Sequence, residues 1–366
     1  MDEDEIMHDD HGDHDMEDQE HGAAAAADLK AAAQTVGGME VLPWVEKYRP
    51  KTLGDLVAHK DIITTIRKLV DSNRLPHMLL HGPPGTGKTS TILACAKEMY
   101  GNRYKSMVLE LNASDARGID VVRNEIKTFV AQQTISFKRE AGQVKMVILD
   151  EADSMTNQAQ FAMRRIIEQY SAHARFGLIC NYVQKIIPAL QSRCTKFRFG
   201  PLADDDVRGR IDYIAAEEKL TIPEDGLQAL IKIGGGDMRR VLNIMQAASM
   251  AFDRIDENAV YLTTGTPLQT DIDSMFDTLM TKTFSDAFTD IDAVCARCGY
   301  ALTDVIQGVF EKLSRTQMPN TARLPLFSSL SEIEAALAKG ATEKTQLGAL
   351  VGHFHLARNA IEKTKA

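Results

Sequence analysis

Eight consecutive residues, Gly82-Pro83-Pro84-Gly85-Thr86-Gly87-Lys88-Thr89, limit what this chain can become more than any other stretch. They fit the pattern G-x-x-x-x-G-K-[ST] and lie between an apolar run, His77-Met78-Leu79-Leu80-His81, and a helical pattern that reaches Tyr100. Strand, glycine loop and helix in that order bring backbone close to phosphate oxygens. Glycines remove the Cβ atoms that would stand in the way, and loop N–H groups and the helix N-terminus supply positive potential. On this pattern Gly82, Pro83, Pro84, Gly85, Thr86, Gly87 and the following Ser90 cradle a nucleotide's phosphates. Lys88 reaches the β- and γ-phosphates and Thr89 ligates Mg²⁺.

The neighbouring pattern agrees with that loop. Further apolar strands are expected at 106–111, 145–150 and 176–181, with an alternating, edge-like strand at 195–199. Continuous apolar strands separated by helical stretches predict a parallel sheet covered by helices on both faces. From about Leu202 the pattern is helical only, with Asp204-Asp205-Asp206 in a first turn, Pro223 opening the next helix, and Gly234-Gly235-Gly236 breaking it. Asp237 caps a helix running to about Phe252. Beyond a Gly265–Pro267 turn, helices are expected at 271–281, 302–313, 322–338 and 343–363. The expected division is a tail at 1–38, a nucleotide-binding domain at 39–201, a helical domain at 202–264 and a second helical domain at 265–366.

Composition matters for what the net charge of −9 hides. Residues 1–38 hold twelve acids and one base, Lys30, and read as a disordered tail. Setting them aside from 51 acids and 42 bases leaves 39 acids and 41 bases, so the remainder is weakly basic and compatible with a nucleic-acid face. No apolar run approaches the length of a membrane span. The five cysteines argue against a disulfide framework, and Cys295-Ala296-Arg297-Cys298 lacks the second ligand pair that a zinc site needs.

Several polar residues complete a candidate catalytic set. Asp150-Glu151-Ala152-Asp153 ends an apolar strand; Asp150 there orients the water around Mg²⁺, and Glu151 polarises an attacking water. Asn181 ends the next strand and is placed to help position that water. Arg193, in Ser192-Arg193-Cys194, precedes the last strand and cannot easily curl back to its own loop, so it suits a nucleotide held by a neighbour. Arg239 and Arg240 open a helix whose dipole disfavours them, which an anionic ligand would offset.

These motifs, with Trp44-Val45-Glu46-Lys47-Tyr48-Arg49-Pro50, Leu111-Asn112-Ala113-Ser114-Asp115 and Gly236-Asp237-Met238-Arg239-Arg240, resemble those of the small subunits of replication factor C, the eukaryotic sliding-clamp loader of the AAA+ ATPase family. The resemblance covers roughly 41–366, with its motifs in 44–240. It implies an α/β AAA+ P-loop sheet with helices on both faces, then an all-helical lid and an all-helical collar. It also implies ATP and Mg²⁺ as cofactors, a nuclear heteropentamer with other replication factor C subunits, a trimeric sliding clamp of the PCNA type, and primer–template DNA bound without regard to sequence. Under the resemblance Val45, Arg49 and Val57 line the adenine and ribose pocket, and Arg239 touches phosphate. Arg193 acts on the adjacent subunit's ATP, and Arg123 faces DNA phosphate with Arg117 and Lys127 near it. The stretch Phe137–Gly142 is slightly longer than the family's. Two rival expectations are a scaffold subunit that holds ATP without hydrolysing it, and a different AAA+ machine such as a helicase.

Overall fold

The computed structural model describes residues 42–365 apart from 57, 73, 115–118 and 132–143. The acidic tail, Val57, Arg117 and the Phe137–Gly142 stretch therefore lie outside the described residues. The chain divides into two units, Met1–Lys47 and Tyr48–Ala366. The described part of the first carries one short helix, α1 (Trp44–Lys47), in which Trp44 is buried.

The second unit opens with α2 (Lys60–Asp71), β1 (Met78–His81), α3 (Lys88–Tyr100), α4 (Tyr104–Met107), β2 (Val108–Asn112) and α5 (Ile119–Ala131). It continues through β3 (Lys145–Asp150), α6 (Asn157–Tyr170), β4 (Ala174–Cys180), α7 (Pro188–Gln191) and β5 (Thr195–Arg198). The five strands form one sheet in the order β2-β3-β4-β1-β5, and every pairing is parallel. Alternation along each strand splits its side chains between two cores. Met78, Leu80, Met146 and Ile148 pack with Ile63 and Ile66 of α2 and Ile92 of α3. Leu79, Val147, Leu149 and Phe176 face the other way, onto Ile126 of α5 and Met163, Ile166 and Ile167 of α6. Strands apolar on both sides are thus covered on both sides, as their sequences require.

Several boundaries differ from the sequence reading by one to three residues, such as β4, which spans Ala174–Cys180 rather than 176–181. The strand expected from Ser106 starts at Val108, because residues 104–107 form one helical turn in which the Ser106 hydroxyl donates to the Arg103 carbonyl at 3.0 Å. Pro223 is the residue before α9 rather than its first turn.

The remainder is helical: α8 (Asp204–Glu218), α9 (Glu224–Gly234), α10 (Met238–Ala251), α11 (Glu257–Thr264), α12 (Gln269–Thr281), α13 (Phe284–Cys298), α14 (Leu302–Arg315), α15 (Asn320–Ala338) and α16 (Glu343–Lys365). Helices α12 to α16 share one core, built from Phe276, Ile291, Val309, Leu330 and Phe354 among others. The sequence reading omitted α13. Its apolar residues Phe284, Ala287, Phe288, Ile291, Val294 and Cys295 do repeat at helical spacing, and most of them pack on that core. Cys295 and Cys298 fall in its last turn as free thiols.

One contact sets how low the helix after the glycine loop rides on the sheet. A Cβ at Gly177 in β4 would stand 2.0 Å from Cδ1 of Ile92 and 3.7 Å from Cε of Met146. Gly177→Val forces α3 away from β4 and is expected to destabilise the protein by about 1–3 kcal/mol, read as a lower denaturant midpoint.

Candidate nucleotide-binding site

The strand order places the site. β1 lies between β4 and β5, and β3 lies beyond β4, so the C-terminal tips of β1, β4 and β3 stand side by side. Ligands of open parallel sheets bind at such tips, where the strand order switches direction. The glycine loop leaves β1 there, Asn181 follows β4, and Asp150 ends β3.

Two requirements fix the first glycine. Gly82 has φ +144°, and a Cβ on it would lie 2.0 Å from the Phe199 carbonyl oxygen. Phe199 cannot retreat, because its N–H extends the β1–β5 ladder by donating to His81 O at 2.8 Å. Gly87, at φ +91°, starts α3.

Lys88 is the centre of the loop. It is only 6% exposed, and its Nζ donates to Gly82 O at 2.8 Å, Pro83 O at 2.7 Å and Asn181 Oδ1 at 3.0 Å. Three acceptors that cannot donate demand three N–H bonds, so the group is an ammonium. All three partners are uncharged. Burial pulls the Lys88 pKa below the ordinary lysine value, against the attraction of Asp150, and the Arg239 guanidinium adds to the lowering. A buried ammonium against a glycine loop, held only by neutral oxygens, fits an anionic ligand. Thr86 is buried beneath it, its hydroxyl on Pro83 O at 3.0 Å, and Ser90 is half-buried in the first turn of α3.

The candidate metal ligands are already together. The Thr89 hydroxyl donates to Asp150 Oδ2 at 2.9 Å, and Asp150 Oδ1 accepts the Glu151 N–H at 2.8 Å. A hydroxyl beside a carboxylate, next to a phosphate cradle, is a donor set suited to Mg²⁺. Glu151 is exposed and left-handed, with φ +53° and ψ +38°. Such a backbone in a non-glycine residue costs about 1–3 kcal/mol and is held by its surroundings. Here Ser154 holds it, donating to Glu151 O from its N–H at 2.9 Å and its hydroxyl at 2.7 Å.

Asp153 carries a function that the sequence reading left unassigned. Its Oδ2 accepts the N–H groups of Asn181 at 3.2 Å and Tyr182 at 3.1 Å, which pins the tip of β4 and so aims Asn181 at Lys88. The readable signal was its place three residues after Asp150 in the same acidic run.

Helix α10 meets the loop end-on. The Met238 N–H donates to Gly85 O at 3.2 Å. Asp237 caps the helix, its Oδ1 accepting from Arg239 N at 2.9 Å and Arg240 N at 3.2 Å. That carboxylate also rests on the loop, since a Cβ on Gly85 would lie 1.5 Å from Oδ1. The first three amides of α10 are therefore spent inside the protein. Its contribution to an anion is the exposed Arg239 side chain, and the Asp237 carboxylate eases the helix dipole that disfavours the arginines.

Arg193 lies elsewhere. Thr195, the first residue of β5, pairs with Met78, the first of β1, so Arg193 stands at the end of the sheet opposite the loop. It bonds to Ala189 O at 2.7 Å and to the Glu168 carboxylate.

Of the residues expected to line the adenine and ribose pocket, Arg49 and Val45 are among the described residues. Arg49 is half-buried, just after Tyr48, whose hydroxyl donates to Glu218 at 2.6 Å and whose carbonyl accepts from Arg210 at 2.5 Å, so this strap is tied to α8. Val45 belongs to α1, in the other unit. Of the residues expected to face DNA, Arg123 and Lys127 are four residues apart in α5, and Lys127 is half-buried.

Two family profiles match this chain. "ATPase family associated with various cellular activities (AAA)" spans 78–202, which brackets the whole sheet, and "Replication factor C C-terminal domain" spans 267–353, from two residues before α12 into α16. Replication factor C subunit 3 of Oryza sativa subsp. japonica is 51% identical over 337 residues, 92% of this chain and 93% of that one. The chain belongs to the replication factor C family. Replication factor C subunit 5 of Mus musculus is 49% identical over 93% of this chain and 98% of that protein. Replication factor C subunit 3 of Schizosaccharomyces pombe is 46% identical over 91% and 95%. The expected family and fold class, an AAA sheet followed by a replication factor C helical domain, are both borne out.

Gly82→Ala in this replication factor C subunit tests the cradle. The disfavoured φ costs about 1–3 kcal/mol. Nucleotide affinity is expected to fall by about 5- to 150-fold in a fluorescent-nucleotide titration, at an unchanged far-UV spectrum.

Proposed function

We propose that this chain is an ATP-binding and ATP-hydrolysing subunit of a nuclear, heteropentameric clamp loader. With other replication factor C subunits it opens a trimeric sliding clamp of the PCNA type and loads it onto primer–template DNA during replication and repair. The observation that carries the hydrolytic part is the Thr89–Asp150 hydrogen bond beside the Lys88–Asn181 one, which assembles phosphate, metal and water-positioning groups at adjacent strand tips.

Each residue's task follows from its setting. Gly82, Pro83, Pro84, Gly85, Thr86, Gly87 and Ser90 cradle the phosphates, and Lys88 moves its donors from loop carbonyls to phosphate oxygens. Thr89 and Asp150 would hold Mg²⁺. When bound, that ion neutralises charge on the phosphate oxygens. Glu151, exposed at the end of β3, accepts a proton from the attacking water, and Asn181 orients that water. Arg239 reports the γ-phosphate to α10. Val45, Arg49 and Val57 hold the nucleoside. Arg193, at the far end of the sheet, stabilises the charge on ATP held by the adjacent subunit.

Arg123, Arg117 and Lys127 contact DNA phosphates, which makes that binding salt-dependent and indifferent to sequence. In this assembly 1–38 is a tail outside the core, 39–201 the ATPase domain, 202–264 the lid and 265–366 the collar that joins the subunits.

Glu151→Gln in the reassembled complex separates hydrolysis from holding. Turnover at this site is expected to drop by about 10²- to 10⁴-fold with ATP still bound. Unchanged turnover instead identifies a scaffold that keeps its ATP and lends an arginine. Arg193→Ala is expected to leave nucleotide binding to this chain intact while slowing hydrolysis at the adjoining subunit by about 10³- to 10⁵-fold. Loss of nucleotide from this chain itself would place Arg193 in cis.

A further inference from the structure

The surroundings of Arg193 are more elaborate than a surface arginine needs. Its Nη1 donates to Ala189 O at 2.7 Å, a carbonyl of α7 that also accepts the Ser192 hydroxyl at 3.3 Å. Its Nη2 is paired with Oε1 of Glu168 on α6. The same oxygen accepts Arg164 Nε at 3.1 Å, one helical turn back, so the carboxylate is steadied from both sides. The two cations beside one carboxylate keep the cluster net positive.

The platform under this cluster is rigid. Gln160 on α6 is 1% exposed, and its amide spans the gap to α7: Nε2 donates to Lys185 O at 2.9 Å and Oε1 accepts Ile187 N–H at 2.7 Å. Gln191 at the end of α7 donates to Val183 O at 3.0 Å and Ile186 O at 2.7 Å. Gln160 thus fixes α6, which carries Glu168, to the 185–187 segment that leads into α7, and Arg193 follows α7 by two residues.

We infer that Glu168 is the positioning residue that presents Arg193 to the neighbouring subunit's nucleotide. The inference rests on the proposed trans role of Arg193 and extends it. A guanidinium has five N–H bonds in a fixed fork. Glu168 takes one N–H from Nη2, and Ala189 O and the Ser192 hydroxyl, the latter at 3.5 Å, take those of Nη1, which leaves two for phosphate oxygens. The arginine's side chain is 32% exposed, so those donors remain reachable. A long side chain fixed in advance loses less freedom when a partner arrives, and a preplaced charge needs no rearrangement in the reaction.

The test uses the reassembled complex with every ATP site but the adjoining subunit's silenced, so that hydrolysis there is read alone. Glu168→Ala is expected to lower that site's kcat by about 10- to 100-fold with little change in KM, since misplacing a positioned group by an ångström costs about that much. Glu168→Gln keeps an oxygen acceptor and restores part of the loss. Glu168→Ala added to Arg193→Ala does no further harm, because both changes act on one guanidinium. Glu168 is exposed, so folding is not at stake, and unchanged nucleotide binding by this chain verifies it. If Arg193→Ala slows the neighbour but Glu168→Ala does not, or accelerates it, or adds to Arg193→Ala, the positioning role is wrong and the trans role survives. If Arg193→Ala itself leaves the neighbour unaffected, the trans role fails and the positioning role fails with it.

Discussion

A buried ammonium whose hydrogen-bond partners are uncharged organises this molecule. Placing Lys88 inside the protein costs free energy that neutral oxygens only partly return. Meeting its three donors requires the Gly82 and Pro83 carbonyls to turn inward, and that turn requires the φ of Gly82, which in turn allows Phe199 to lie against the loop. The third acceptor must come from β4, so β4 must neighbour β1, and Asp153 must hold its tip. Strand order, glycine placement and the acidic run after β3 thus answer to one charge.

Much of this was legible in the sequence, and the reasons differ from element to element. β3 was placed to the residue because Lys145–Asp150 is a continuous apolar run ended by an acid. α3 was readable because a phosphate loop fixes where its helix begins. The Asp237 cap was visible from its side chain and the glycines before it. What escaped depends on contacts between distant parts of the chain. Asp153 looked like one more loop acid until Asn181 and Tyr182 came to it across 28 and 29 residues. Glu168 gives no signal in the sequence beyond Arg164 four residues earlier, because its other partner, Arg193, arrives from beyond α7. The left-handed backbone of Glu151 has no signal in its residue type, which favours other conformations; Ser154 imposes it.

The two chemically distinct ends of the sheet give the subunit a direction. Phosphate groups belong at the C-terminal tips of the strands, while Arg193 stands before the first residue of β5, at their N-terminal end. On the proposed reading, one end receives a triphosphate and the other offers a guanidinium. Complementary but unlike surfaces meet head to tail, which builds rings or open spirals rather than two-fold dimers.

Two main-chain hydrogen bonds fix the start of α10: Met238 N–H to Gly85 O ties it to the loop, and Leu202 N–H to Gly236 O ties the turn before it to the stretch that leaves β5. Main-chain groups survive nearly every point mutation. Apart from proline at 202 or 238, no single replacement deletes a partner from either bond, so the mechanical linkage is buffered against mutational drift in a way that a link made of side chains never is. The positions that cannot drift are the glycines beside it: a Cβ on Gly85 would strike the Asp237 carboxylate, and one on Gly236 would lie 2.9 Å from Leu202 N.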